Sequence, residues 1–154
     1  MSRMTVGRAM EILLVEDNLD DARMTIEALK HEGVRCRVTL VLDGEEAMAF
    51  LRREGIFARA PRPDLVLLDI ELPKKDGRQV LAEIRADPTL EGIPVVVLTG
   101  SLVQQTIFQS GSLAVDGFMT KPVSLDQFIR IIKSLHRSWL SELILPSLEQ
   151  GGTL

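Results

Sequence analysis

The chain has one cysteine, no tyrosine, two histidines and only 4% aromatic residues. Its lone thiol, Cys36, can close no internal disulfide, which suits a reducing compartment and leaves a small buried apolar role as the simplest use. His31 and His136 lie far apart with no second ligand at metal spacing beside either, so a histidine metal centre or general base has no support. No apolar run approaches the roughly 20 residues of a membrane span. Positive charge is not in excess: 18 Lys and Arg against 22 Asp and Glu give a net charge of -4. That balance argues against a general nucleic-acid binder, which would carry a basic patch. Residues 1–10 contain Arg3 and Arg8 but no apolar core, so they read as a flexible tail rather than a secretory signal. Met1, Met4 and Met10 all precede the first strand and leave the physiological start open. A cytoplasmic location is expected.

What the chain does have is a set of short apolar runs that stop at polar residues. Leu65-Val66-Leu67-Leu68 ends at Asp69, followed by Ile70-Glu71-Leu72-Pro73. A run this short, bounded by turn residues, predicts a strand buried on both faces. Glu11 to Val15 likewise ends in Glu16-Asp17-Asn18, Pro94 to Leu98 ends at Thr99, and Val115 to Thr120 ends at Lys121-Pro122. Val34, Cys36, Val38 and Leu40 alternate with Arg35, Arg37 and Thr39, the pattern of an edge strand guarded by arginines.

Helical patterns separate these runs. One extends from Asp20 to Glu32, with Ala22, Ile26 and Leu29 on one side and Gly33 as its stop. A second starts at Asp43-Gly44-Glu45-Glu46, with Asp43 as cap and Ala47, Phe50 and Leu51 as its buried stripe. A third runs from Asp76 or Gly77 to Arg85 and ends at Asp87-Pro88. A short one is expected around Leu102 to Gln109, in a segment from Thr99 to Val115 that has no charged residue and so is expected to be mobile, covered by a partner, or packed as a polar surface helix. The last is opened by a capping box, Ser124-Leu125-Asp126-Gln127, with Phe128, Ile131, Ile132, Leu135 and Trp139 as its apolar face.

Strands alternating with helices predict an α/β fold, a three-layer, doubly wound, flavodoxin-like parallel sheet of five strands. An edge strand placed second in sequence favours the order 2-1-3-4-5, an order known from flavodoxin and CheY. The expected division is a tail over 1–10, a domain over 11–140 and a C-terminal arm over 141–154, with no output domain. Ligands of such sheets bind beyond the carboxyl ends of the strands, at the switch point. Glu16, Asp17 and Asp69 fall there together, with Thr99 and Lys121 closing the site. Clustered carboxylates resist ionising together, and a divalent cation relieves that repulsion. An all-oxygen set of few ligands suits Mg²⁺. A carboxylate can also attack phosphorus, and the developing charge calls for a metal and a cation such as Lys121. Each residue alone has an ordinary explanation: a helix cap for Asp17, a β-branched strand residue for Thr99, a solvated charge for Lys121. Their coincidence at four strand ends does not.

At this point the sequence resembles the receiver domains of two-component response regulators. The motifs are Leu14 to Asn18, Leu68 to Pro73, Asp76-Gly77, Val97-Leu98-Thr99 and Thr120-Lys121-Pro122. The resemblance implies that Asp69 accepts a phosphoryl group from a sensor histidine kinase in a phosphorelay. It implies that Asp17 binds Mg²⁺ directly, Glu16 mainly through water, and Glu71 through its backbone carbonyl. Thr99 would be the switch hydroxyl, Phe118 the switch aromatic and Lys121 the phosphate cation. On this reading the protein is no enzyme beyond its own phosphotransfer and slow autodephosphorylation. Glu71 and Ser101 would flank the attacking water. Phe50 to Gly55, Ala60 to Asp64, Asp76 to Arg85 and Trp139-Leu140 look similar to single-domain regulators of bacterial phytochrome kinases. The family's usual Gly-Ala before the fifth strand is Ala114-Val115 here.

Other classes compete. A haloacid-dehalogenase-type phosphatase would want a second Asp two residues after the nucleophile, where this chain has Glu71. A nucleotide- or flavin-binding domain would need a glycine-rich first turn, and Glu16-Asp17-Asn18 would repel phosphate there. A phosphate-independent pseudo-receiver scaffold is the strongest alternative, although such chains usually lose the acids or the lysine. No direct nucleic-acid or membrane partner is expected. Apolar residues in excess of one helix stripe, namely Ile129, Trp139, Leu140, Leu143 and Ile144, predict a homodimer through the last helix and arm. Light scattering of the chain shortened to Arg137 tests this: the mass should fall to that of a monomer, and an unchanged dimer removes the arm from the interface.

Overall fold

In a computed structural model the protein is described over residues 9–30, 35–72, 74–100 and 114–135. The expected helix at Leu102 to Gln109, the arm residues Trp139, Leu140, Leu143 and Ile144, and Ser101 lie outside these residues. The described strands are β1 (Met10–Val15), β2 (Cys36–Val41), β3 (Leu65–Asp69), β4 (Val95–Thr99) and β5 (Gly117–Thr120). The helices are α1 (Leu19–Leu29), α2 (Gly44–Leu51), α3 (Gly77–Ala86) and α4 (Leu125–Ser134). All strand pairs are parallel, in the order β2-β1-β3-β4-β5.

Strand alternation builds two cores. Leu13, Val15, Val66, Leu68, Val95 and Val97 face α2 and α3, while Ile12, Leu14, Leu65, Leu67, Val96 and Leu98 face α1 and α4. Leu65 to Leu68 are all fully buried, and each such side chain contributes about 1.5–3 kcal/mol of hydrophobic stabilisation. β3 is therefore fixed in register between β1 and β4, and its last residue, Asp69, is fixed with it.

The helix starts follow from capping chemistry. Asn18 Oδ1 accepts from Asp21 N at 2.9 Å, Asp43 Oδ1 from Glu46 N at 2.8 Å, and Asp76 with Gln79 forms a full capping box. Each supplies a partner for an orphan N–H of the first turn. Ser124 also caps α4, accepting from Gln127 N at 3.2 Å. Gln127 does not complete the expected box; its side chain donates instead to the carbonyls of Thr120 and Pro122, tying α4 to the end of β5.

Two expectations are corrected. Met10 is no part of a tail: it is the first residue of β1 and 1% exposed. Ile129 is not surplus surface for a dimer, because it is 2% exposed within the α1 and α4 core. The buried stripe of α4 is wider than expected, and it packs beside Gly117 at the start of β5. With no side chain there, half-buried Ile131 packs over the strand backbone, with its Cδ1 3.1 Å from where a Cβ at residue 117 would stand. Phe128, Ile129 and Ile132 then fill the core beside it.

β5 is the shortest strand and sits at an edge, so it needs other support. Asp116 Oδ2 accepts from Val95 N at 2.8 Å and from Arg85 Nη2 at 2.9 Å, and Arg85 donates onward to the carbonyls of Ala114, Glu91 and Ile93. One guanidinium thus ties the end of α3 to the start of both β4 and β5. Removing the carboxylate strands a buried strand N–H and a partly buried cation. Asp116→Ala is expected to lower stability by about 2–3 kcal/mol, read as a shift of the urea unfolding midpoint.

Candidate functional site

The strand ends meet at one edge of the sheet. Asp69 closes β3 at 8% exposure, and Glu16, one residue beyond β1, is fully buried. Lys121, one residue beyond β5, is held by its backbone N–H to the Thr99 carbonyl at 2.8 Å. Its Nζ lies 2.7 Å from Glu16 Oε1, 3.2 Å from Asp69 Oδ2 and 3.1 Å from Asp21 Oδ2. The other Asp69 oxygen, Oδ1, accepts from Glu71 N at 3.3 Å, and Glu16 Oε2 accepts from Asn18 N at 3.2 Å. A cleft of about 370 Å³ opens over these groups, lined also by Asp17 and Gly100.

Asp21 escaped the sequence reading. An acid in the first turn of a helix reads as complementing the helix dipole, and nothing in the sequence distinguishes one that also reaches a lysine 100 residues away. Thr99 is 1% exposed and does not line the cleft. It continues the Val95 and Val97 row toward α2 and α3, whereas Asp69 continues the Leu65 and Leu67 row on the other face. Phe118 pairs in register with Val97 and is half-buried against the α2 and α3 core. Asp69 thus starts from one face of the sheet and Thr99 and Phe118 from the other.

The charges are strongly coupled. Burial, and then the neighbouring Asp69, push the Glu16 carboxyl up to about 7 despite Lys121. Burial would lower Lys121, but Glu16, Asp69 and Asp21 outweigh it and hold the ammonium above the ordinary lysine range. The 2.7 Å contact between Glu16 Oε1 and Lys121 is close but poorly aligned, and this buried oxygen has no hydrogen-bond partner among the described residues. Carboxylate oxygens of Glu16, Asp17 and Asp69 lie within 4.8 Å of one another. Such an all-oxygen cluster, one member of which is fully buried, fits a small, hard divalent cation. Among the described residues no helix is long and apolar enough to cross a membrane.

Fold and site together define a receiver-type domain: a doubly wound sheet with a carboxylate on its central strand, flanked by acids and faced by a lysine. The chain belongs to the response regulator receiver domain family, whose model matches residues 12–133. It is 43% identical to the response regulator Rcp1 of Synechocystis sp. over 136 residues, covering 88% of this chain and 92% of that one. The solved Mn²⁺-bound form of Rcp1 superposes with a TM-score of 0.68 at 42% identity, covering 90% of this chain and 99% of that one. The phosphorylated cyanobacterial phytochrome response regulator RcpA is 52% identical, with a TM-score of 0.70, covering 91% of this chain and all (100%) of that one. The bacteriophytochrome response regulator RtBRR is 37% identical, with a TM-score of 0.78, and the match covers 86% and 81% of the two chains.

The raised Glu16 carboxyl sets a pH signature for the metal-free protein. Between the unfolded value of 4.5 and the folded value of about 7, the folded chain binds this proton more tightly than the unfolded chain. The contribution of Glu16 to stability therefore falls as pH rises through that window and is at its least favourable above it. With EDTA present, Glu16→Gln should gain stability relative to the parent as pH rises from 4.5 to 7, then level off. Urea unfolding at a series of pH values measures this.

Proposed function

We propose that this chain is a phosphoryl-accepting response regulator that takes its phosphoryl group from a sensor histidine kinase onto Asp69, with Mg²⁺ held by Asp17, Asp69 and Glu16. The observation that carries the reading is Lys121 Nζ lying 3.2 Å from Asp69 Oδ2, beside three carboxylates that can share one cation. A carboxylate oxygen of Asp69 attacks phosphorus, forming a P–O bond as the P–N bond to the donor imidazole breaks and its electron pair returns to the ring nitrogen. Mg²⁺, when bound, neutralises charge on the phosphoryl oxygens. Lys121 supplies a fixed positive charge on the other side, and the Glu71 N–H holds the second Asp69 oxygen in place. Glu71 also serves the cation through its backbone carbonyl.

The acyl phosphate adds negative charge and new acceptors beside Lys121 and near the end of β4. Thr99 turns its hydroxyl toward a phosphoryl oxygen, and Phe118 moves into the space this opens. Both sit on the face toward α2 and α3, so the surface that changes is there and along β5. Likeness to Rcp1, RcpA and RtBRR supports a bacterial phytochrome as the kinase. The protein acts in the cytoplasm and pairs through the arm residues Trp139, Leu140, Leu143 and Ile144.

Incubation with acetyl phosphate or a phosphorylated histidine kinase, followed by acid-labile phosphate analysis, tests the assignment. The parent should label in a Mg²⁺-dependent way and Asp69→Asn should fall to the assay background. Undiminished labelling of Asp69→Asn would move the acceptor to another carboxylate. Failure of the parent to bind Mg²⁺ or to label would favour a phosphate-independent scaffold.

A further inference from the structure

The loop between Asp69 and α3 carries Glu71, and both its ends are fixed locally. Gly77 N donates to the Ile70 carbonyl at 3.1 Å, and a Cβ at Gly77 would stand 2.6 Å from the Asp69 carbonyl and 2.9 Å from that of Ile70. Such contacts are too close for any side chain, so the loop closes on bare backbone. The far side of the loop is fixed by something else. Lys74 takes a left-handed conformation (φ 65°), which L-residues other than Gly, Asn and Asp rarely adopt. Its Nζ lies 3.5 Å from Asp43 Oδ2, and the next residue, Lys75, lies directly on Gly44. A Cβ at Gly44 would overlap the Lys75 carbonyl oxygen and stand 2.8 Å from its carbonyl carbon. Lys75 also pairs its ammonium with Glu83 of α3.

We propose that the junction of β2 and α2, Asp43-Gly44, is a brace that positions the loop after Asp69, and that Gly44 and Asp43 are positioning residues for metal binding and phosphoryl uptake. Gly44 is buried at the first position of α2, where its lack of a side chain is unfavourable for the helix. Its presence is explained by the backbone laid across it. Asp43 does two tasks with its two oxygens: Oδ1 caps α2, and Oδ2 pairs with the exposed ammonium of Lys74, whose backbone is left-handed. Neither residue touches the cleft. They act through the loop, by fixing where the Glu71 N–H meets Asp69 Oδ1 and where the Glu71 backbone faces the acids. This reading rests on the proposed phosphoacceptor role of Asp69 for its rate component, but not for its metal component.

The test compares Gly44→Ala with Ala47→Gly, which removes a buried methyl and weakens the same helix without adding an atom against Lys75. Three quantities are measured on each: the urea midpoint, the Mg²⁺ dissociation constant by calorimetry, and the labelling rate with acetyl phosphate. Gly44→Ala is expected to weaken Mg²⁺ binding about 10-fold, as losses in outer-shell support of a metal site typically do, and to slow labelling to a similar degree. Ala47→Gly should lose stability yet keep both values near those of the parent. Parent-like Mg²⁺ binding in folded Gly44→Ala, or an equal loss in Ala47→Gly, overturns the brace. Should Gly44→Ala not fold, Asp43→Asn keeps a good helix cap while removing the charge that pairs with Lys74. It is expected to weaken Mg²⁺ binding several-fold, and an unchanged constant overturns the proposal. A parent that binds Mg²⁺ but never labels would instead overturn the phosphoacceptor reading and leave the brace to be judged on Mg²⁺ alone.

Discussion

The ammonium of Lys121, set among Glu16, Asp21 and Asp69, is the interaction on which the active edge depends. Several carboxylates converge there, and at least one of them is wholly cut off from water. Without a cation the cheapest remedy is protonation, and the raised Glu16 carboxyl shows that even Lys121 does not fully prevent it. The pocket is therefore built with a deficit of positive charge. That deficit makes it selective for a species bringing more, and it keeps the lysine charged under all ordinary conditions.

The lysine is only as well placed as the strand that delivers it. β5 is short and lies at the edge of the sheet, yet both of its ends are tied down. At its start Asp116 and Arg85 join it to β4 and α3, and at its end Gln127 and the Thr99 carbonyl fix the turn into Lys121. Asp69, by contrast, needs no such ties, because four consecutive buried residues lock β3 between its neighbours. A carboxylate on the buried central strand and a cation on a peripheral, individually fastened strand are thus held in place by different means.

The two faces of the sheet divide the labour. Glu16, Asp69 and Lys121 gather where α1 begins, while Thr99 and Phe118 belong to the face covered by α2 and α3. The ends of β4 and β5, hydrogen-bonded neighbours there, are one link between the side of Asp69 and the other face. The loop after Asp69 crosses toward α2, where Gly44 accepts its backbone. The site is thus supported from both layers, although its reactive groups come from one.

The sequence by itself determined the sheet, its order, the helix starts and which acids gather at the strand ends. Those features are written locally: apolar runs of strand length, capping residues at fixed offsets, and polar residues at the strand ends. The strand alternation in Cys36 to Val41 and the caps at Asp43, Asp76 and Ser124 needed no tertiary information. Tertiary structure alone decided which surplus apolar residues became core, as with Ile129, which is 2% exposed in the core facing α1 and α4. It also decided that Asp21 joins the lysine and that Gly44 seats the loop, because these depend on residues brought together across long stretches of chain. A one-dimensional pattern records what a residue is and which neighbours it repeats with. Distance between remote residues, and hence the coupling of buried charges, exists only once the chain has folded.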